Sequence, residues 1–493
     1  MYRIKADKAQ FPILFPQELE FNPPVHGTWN IVHISMLVPE AHSIYVCSDN
    51  CMRGVVMTAA EMGCLDRFSC VTLRERDVMV DNLETITIEG VSNVIEHLEK
   101  HPPAVFIFLV CLHIFTSSDE EYILKKLRER YPDICFVRCY MDCVRQKTGP
   151  TPDMKLRGFE YEPIEIREKK PGRVNVLGCD LPYKKDSELL GFLEQRGCIP
   201  MQLQDCGTWE EYQKLGEAEL NICTYMNAQE GLQRLSDRIG SKYLYLPPAV
   251  DYEEIRKEYE MLLRMLDHSE TAGTNESEQN NTCVEGRSEA AQDNSCAAGP
   301  DEALMTYCKE QESLCEEALT HLREAIGDGE VMVDYTCHQR PLGIAKLLLT
   351  HGIRVGRVYL DAVLPEEEET LHWLKDHYPE LELTATIRPQ EIRSVELSNP
   401  GKTEGSFRDG HKVLALGQKA AWFEQTGFFV NMIESGGLWG YEGIRGLCSR
   451  MEEALLEEKD LRNIVPRKGL GWPSLCDVPG EKVLCDVSGG CAL

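Results

Sequence analysis

The chain has 493 residues and carries 81 acidic side chains against 52 basic ones, a formal charge of −29. That balance excludes a general nucleic-acid or anionic-membrane binder, since both need a basic footprint. A hydrophobic fraction of 43% with 27% charged residues excludes wholesale disorder.

The first forty residues carry Pro12, Pro16, Pro23 and Pro24 and read as an extended arm, bounded at 1–24. A first α/β unit follows over 25–165. Ser43–Cys47 reads as a strand, Cys51–Met62 as a helix, Ala104–Cys111 as a buried strand, Asp119–Tyr131 as a helix and Ile134–Val137 as a strand. The pattern restarts over 166–266 with strand Arg173–Leu177, helix Ser187–Arg196, strand Met201–Leu203, helix Ala228–Ile239 and strand Tyr243–Leu246. It restarts again over 302–461. There strands Glu330–Tyr335, Arg357–Leu360, Leu381–Ile387 and Lys412–Leu416 alternate with helices Pro341–His351 and Glu366–Tyr378. Strands separated by helices of about a dozen residues predict parallel sheets with crossover helices, so the fold class is α/β in three units.

Between the second and third units, residues 267–301 hold eight acidic residues, one arginine and no aromatic, and read as a disordered acidic insertion. Its cysteines, Cys283 and Cys296, are poor candidates for a preorganised site. Residues 462–493 read as a tail carrying Cys476, Cys485 and Cys491. The longest apolar run, Ala104–Leu112, falls far short of the ~20 residues a membrane helix needs. Met1–Asp7 runs into a proline-containing segment without a basic-then-apolar pattern, so no secretory leader is expected. The expected setting is cytoplasmic, where the 21 cysteines serve as thiols or metal ligands rather than disulfides.

Several familiar motifs fail. No Gly-x-Gly-x-x-Gly loop follows a strand, so neither NAD nor flavin is expected. Gly401-Lys402-Thr403 imitates the end of a phosphate loop, but Glu396 stands where its first glycine belongs. Three cysteine groups remain: Cys47 with Cys51 on a strand-to-helix turn, Cys111 at the end of a buried strand, and Cys135, Cys139 and Cys143 every four residues. Thiolates converging from the ends of parallel strands suit an iron–sulfur cluster, while cysteine also serves as a small buried hydrophobe. His26, His33, Asp49 and Arg53 are polar candidates around the same turn.

The succession Ile31-Val32-His33-Ile34-Ser35, Cys47–Cys51, Glu75-Arg76-Asp77-Val78 and Val110–Asp119 resembles the nitrogenase component 1 family. Val137-Arg138-Cys139-Tyr140, Leu220–Asn227 and Gly440-Tyr441-Glu442-Gly443 continue the resemblance in the same order. It implies three Rossmann-like parallel-sheet domains around a central cleft, and a homodimer or a heterodimer with a related subunit. It also implies an ATP-dependent iron protein as electron donor, and a 4Fe-4S or related interfacial iron–sulfur cluster. Carried over residue by residue, Cys47, Cys51 and Cys111 stand at the metal positions, and Cys139, Cys223 and Trp439 stand around the cofactor. The chain also departs from the family. The first cluster cysteine is absent before Ile31, Trp439 replaces a cofactor histidine, and Thr148-Gly149-Pro150 replaces a histidine pair. The expectation is a reductase subunit passing low-potential electrons to a small-molecule substrate, and not a dinitrogen reductase. A metallocluster assembly scaffold and a cluster-less binding protein of the same fold are the alternatives.

Overall fold

A computed structural model describes residues 2–15, 31–61, 63–79, 82–141, 157–267, 302–387 and 404–464. Outside them lie the insertion after Asp267, the tail beyond Ile464, His26, Cys143, Thr148–Pro150 and Gly401–Thr403.

The first strand, β1 (Arg3–Lys5), does not belong to the unit that follows it. It pairs antiparallel with the third sheet, Ile4 opposite Leu383, and the chain behind it buries Ala6, Ala9, Leu14 and Phe15. The first unit opens with the short buried helix α1 (Ile31–Met36). Its sheet holds β2 (His42–Cys47), β3 (Phe68–Thr72), β4 (Ala104–Val110) and β5 (Cys135–Met141), all parallel, in the order β3-β2-β4-β5. β2 and β4 are buried at every position, as a parallel sheet covered on both faces requires. Tyr45 stacks between Phe108 and Phe68, with ring centroids at 4.4 and 4.9 Å. The crossovers are α2 (Asp49–Glu61), α3 (Leu83–His97), and the pair α4 (Cys111–Phe115) and α5 (Glu120–Arg130). Asp119 starts α5 by accepting the Tyr122 amide at 2.9 Å.

The second unit repeats the layout. β6 (Arg173–Leu177), β7 (Ile199–Met201), β8 (Leu220–Cys223) and β9 (Lys242–Tyr245) form a parallel sheet in the order β7-β6-β8-β9. Helices α6 (Glu188–Gln195), α7 (Gln229–Ile239) and α8 (Tyr252–Asp267) accompany it. Its two faces go to different partners, because strand side chains alternate. Val174, Val176, Leu220, Ile222 and Leu244 join the core of the third unit, while Leu177, Cys223 and the α7 leucines join that of the first. The middle unit is thus a shared wall.

The third unit begins with the long α9 (Glu302–Ile326). Its strands are β10 (Glu330–Asp334), β11 (Val355–Tyr359), β12 (Glu382–Thr384), β13 (Phe407–Arg408), β14 (His411–Leu416) and β15 (Phe429–Val430). The order is β1-β12-β11-β10-β14-β13, with β15 also on β14; only β1 and β13 run antiparallel. Its helices are α10 (Pro341–Thr350), α11 (Glu368–His377), α12 (Gln418–Glu424) and α13 (Gly440–Leu456). At the start of α13 two carboxylates exchange roles: Glu188 accepts the Glu442 amide and Glu442 accepts the Glu188 amide, tying α13 to α6. Among the described residues, no helix is long and apolar enough to cross a membrane.

Candidate functional site

Parallel sheets place ligand-binding residues at the carboxyl ends of their strands. At that edge of the first sheet stand the three predicted metal residues. Cys47 is the last residue of β2 and is 1% exposed. Burial pushes its thiol up to about 12, and the nearby Cys70, Cys51 and Asp49 add to the shift. Cys51 lies in the first turn of α2, exposed, its sulfur accepting the Ser48 hydroxyl at 3.5 Å. Cys111 was expected to end a strand; instead β4 stops at Val110 and Cys111, half-buried, is the first residue of α4. Val46 is level with Leu109, so the ends of β2 and β4 lie side by side and both chains turn outward there. The segments leaving β3 and β4 at this edge carry Met79 and Phe115, 85% and 67% exposed.

Whether this set suits an iron–sulfur cluster depends on how many donors meet. Among the described residues, no three His, Cys, Asp or Glu side chains converge to hold a metal ion. Among the described residues the donors therefore do not make a closed site. Their thiol chemistry would suit part of a cluster's ligand set, with Cys51 exposed and Cys111 half-buried.

The residues expected around a second cofactor are not brought together. Cys139 lies within β5, level with Phe108, fully buried near the Tyr45 ring, and burial raises its thiol well above the ordinary range. Its register faces it into the first core rather than toward a cleft. Cys223 ends β8, also fully buried; its thiol donates to the Tyr225 carbonyl at 3.2 Å and is pushed up to about 12 by burial. Trp439 precedes α13 and packs in the other core, its ring 5.0 Å from that of Tyr259. Thiol and indole thus occupy different apolar cores. The donor set does not fit a metallocofactor between them.

Where the three units meet, the structure places charge that no motif announced. Arg157, wholly buried, ion-pairs with Asp180 just after β6 and, at 2.6 Å, with Glu434 of the third unit. It also donates to the Gly178 carbonyl at 3.0 Å and lies 4.8 Å over the Tyr225 ring. Gly178 has φ +117°, a conformation that glycine alone adopts freely. From the first unit, His33 Nδ1 meets the Asp180 carboxylate at 2.7 Å. Burial would raise the Asp180 carboxyl, but the Arg157 guanidinium and His33 overcome it and hold it well below the usual range. Glu160 beside them is also buried, and desolvation pushes its carboxyl well above that range, against the Arg157 guanidinium, which pulls it down. A recess of about 540 Å³ between the first and second units, lined by Met36, Glu40, Arg67, Gln204 and Cys206, reaches Asp180.

The third sheet fills its own carboxyl edge in a similar way. Lys419, 1% exposed, donates to the Tyr335 hydroxyl at 2.6 Å and to Thr386 at 3.2 Å, while Asp334 accepts the Ala420 amide at 2.9 Å. His33 excepted, these residues are single charges scattered through the chain. Their only sequence signal is a polar residue just past an apolar strand.

Comparison with known proteins follows this geometry. Residues 23–394 match the family model for nitrogenase component 1 type oxidoreductases. A solved structure described as "Nitrogenase Cp1 at pH 6.5" superimposes with a TM-score of 0.56 at 11% identity, covering 90% of this chain and 95% of that one. Another, "Nitrogenase Cp1 at pH 5", gives 0.52 at 12% identity over 92% and 93%. These likenesses establish a shared fold. No curated protein sequence matches the chain.

Proposed function

The chain belongs to the nitrogenase component 1 type oxidoreductase family, and from that premise we propose that it is an electron-transferring subunit holding part of an iron–sulfur cluster. The observation that carries this reading is the placement of Cys47 at the end of β2 and of Cys111 directly after the adjacent parallel β4, with the exposed Cys51 in the turn that follows β2. Such a cluster is held by about four thiolates and, when bound, stores and passes single electrons. Cys47, Cys51 and Cys111 would supply this chain's share. A second subunit, identical or related, would supply the rest and cover Met79 and Phe115. The burial of Cys47 keeps water from its sulfur, and low polarity around a cluster is one of the protein's means of setting its potential.

An ATP-dependent iron protein is the proposed electron donor. A small substrate would enter the recess that reaches Asp180, whose carboxylate is kept ionised and fixed by Arg157 and His33. No second metallocofactor enters the proposal, because Cys223 and Trp439 lie in separate cores.

One observation favours a cluster-less binding protein of the same fold: the absence of three converging donors among the described residues. Iron and acid-labile sulfide per chain, measured with native mass on anaerobically purified protein, separate the two readings. Roughly two to four irons per chain in a dimer are expected for a shared cluster. Iron-free protein after anaerobic reconstitution would leave the binding protein.

A further inference from the structure

On the far side of β5 from Cys139, a second cavity opens between the first and second units. Its volume is about 510 Å³, within the usual size of small-molecule sites. Strand alternation turns Arg138 and Tyr140 toward it, and α7 brings Arg234 and Arg238, four residues apart on one helix face. In a chain of net charge −29, three guanidinium groups on one cavity wall are unexpected.

Their commitments differ. Arg138 pairs with Glu121 at 2.9 Å and Glu120 at 3.3 Å, and Arg234 pairs with Glu230 on its own helix. Arg238 makes no ion pair among the described residues. Its guanidinium is held by the backbone carbonyls of Tyr161, at 2.7 Å, and Ile164. A guanidinium fixed by neutral carbonyls keeps its full charge and retains further N–H donors. Two carboxylates, Glu162 and Glu230, share the lining; burial raises the Glu162 carboxyl above its ordinary range, against the pull of Arg138, Arg234, Arg238 and Arg128.

The apolar side is supplied by Tyr140 and Phe159, with ring centroids 5.8 Å apart. The wall behind them is set by contact between glycines. A Cβ on Gly231 would lie 2.6 Å from the Gly158 Cα, so α7 and the 157–162 segment meet backbone to backbone.

We propose that this cavity binds a small organic oxyanion, its charged group on Arg138, Arg234 and Arg238 and its apolar part against Tyr140 and Phe159. Carboxylate and phosphate share the chemistry that a guanidinium fork recognises. Because the walls come from two units, occupancy also joins the first unit to the second.

Isothermal titration of the full chain with pyrophosphate and, separately, with succinate tests this. At least one probe should bind saturably at one site per chain and weaken as salt is raised. Arg234→Gln and Arg238→Gln should each weaken binding about tenfold or more. Glu162→Gln, which removes a competing carboxylate, should tighten it. Saturable binding of pyrophosphate alone assigns a phosphate ligand, of succinate alone a carboxylate, and of both a site for either. If Arg238→Gln unfolds the chain by releasing the two carbonyls, Arg234→Gln still decides, because the ion pair of Arg234 among the described residues is with Glu230 on its own helix. Absence of saturable binding, or affinity unchanged in the folded arginine variants, overturns the site. Iron content does not enter the readout, so this result and the cluster reading stand or fall separately.

Discussion

The carboxyl edge of the first sheet and the junction of the three units are built on opposite principles. At the edge, Cys51 and Cys111 face outward, apolar side chains are exposed, and the donor set is incomplete. At the junction, Arg157, Asp180, Glu434 and His33 are all within 4% of complete burial, and each is held by another member. On the reading proposed above, the difference marks where this chain would depend on something outside itself. Buried charges must be paired within the fold, since desolvation otherwise costs several kcal/mol per ion. Half-exposed thiols carry no such cost, because they are uncharged and need not be desolvated. The junction is therefore complete in the single chain, and the edge is where a second component would act.

The comparison breaks most sharply at Arg157. Arg157→Met leaves two buried carboxylates facing each other, and a loss of about 3–5 kcal/mol is expected in denaturant unfolding. A loss below about 1 kcal/mol would mean that the junction does not hold the units together.

A smaller effect comes from Glu367, buried beside α10. Burial raises its carboxyl to about 8, against the Gly343 amide and Arg340, which pull it down. The folded chain then binds a proton that the unfolded chain releases near 4.5. Stability from this group is present below that pH and is lost as pH rises toward about 8, by up to about 1 kcal/mol per pH unit. Glu367→Gln should flatten the dependence of unfolding midpoint on pH in that window; an unchanged slope would assign it to other groups.

Smallest in stability is Cys111→Ala, expected to cost under about 1 kcal/mol because the residue is half-buried. Its iron content should nevertheless fall, while Cys198→Ala, in the second unit, keeps it. Equal iron in both variants would remove Cys111 from the edge site.

Much of the fold was legible in advance. Near-continuous apolar character marked Ala104–Val110 as a buried parallel strand, and the structure shortens the expected element by one residue because Cys111 already belongs to the next helix. The expected helix Asp119–Tyr131 loses its end residues, which serve as caps. The N-terminal arm is extended at Arg3–Lys5, but its pairing with β12 could not be read locally, since the partners lie more than 370 residues apart. The cysteine reading was less transferable. Cys139 and Cys223 looked like site residues by position in their motifs, yet strand alternation turns them into apolar cores. That Arg157, Asp180 and Glu434 would meet gave no signal, because contacts across 23 and 277 residues leave no local pattern.

The sequence by itself therefore determined the α/β class, the three-unit rhythm and the cysteines at and just past the ends of β2 and β4, because all of these follow from hydrophobic periodicity and short-range order. Only the tertiary structure decided which polar residues meet. It made the middle sheet a wall shared by two cores, closed the junction around Arg157, and set Arg238 beside a cavity on the carbonyls of Tyr161 and Ile164. A charge does not show in the sequence which distant partner will share its burial, and that pairing is settled only when the packing of the units removes water from both.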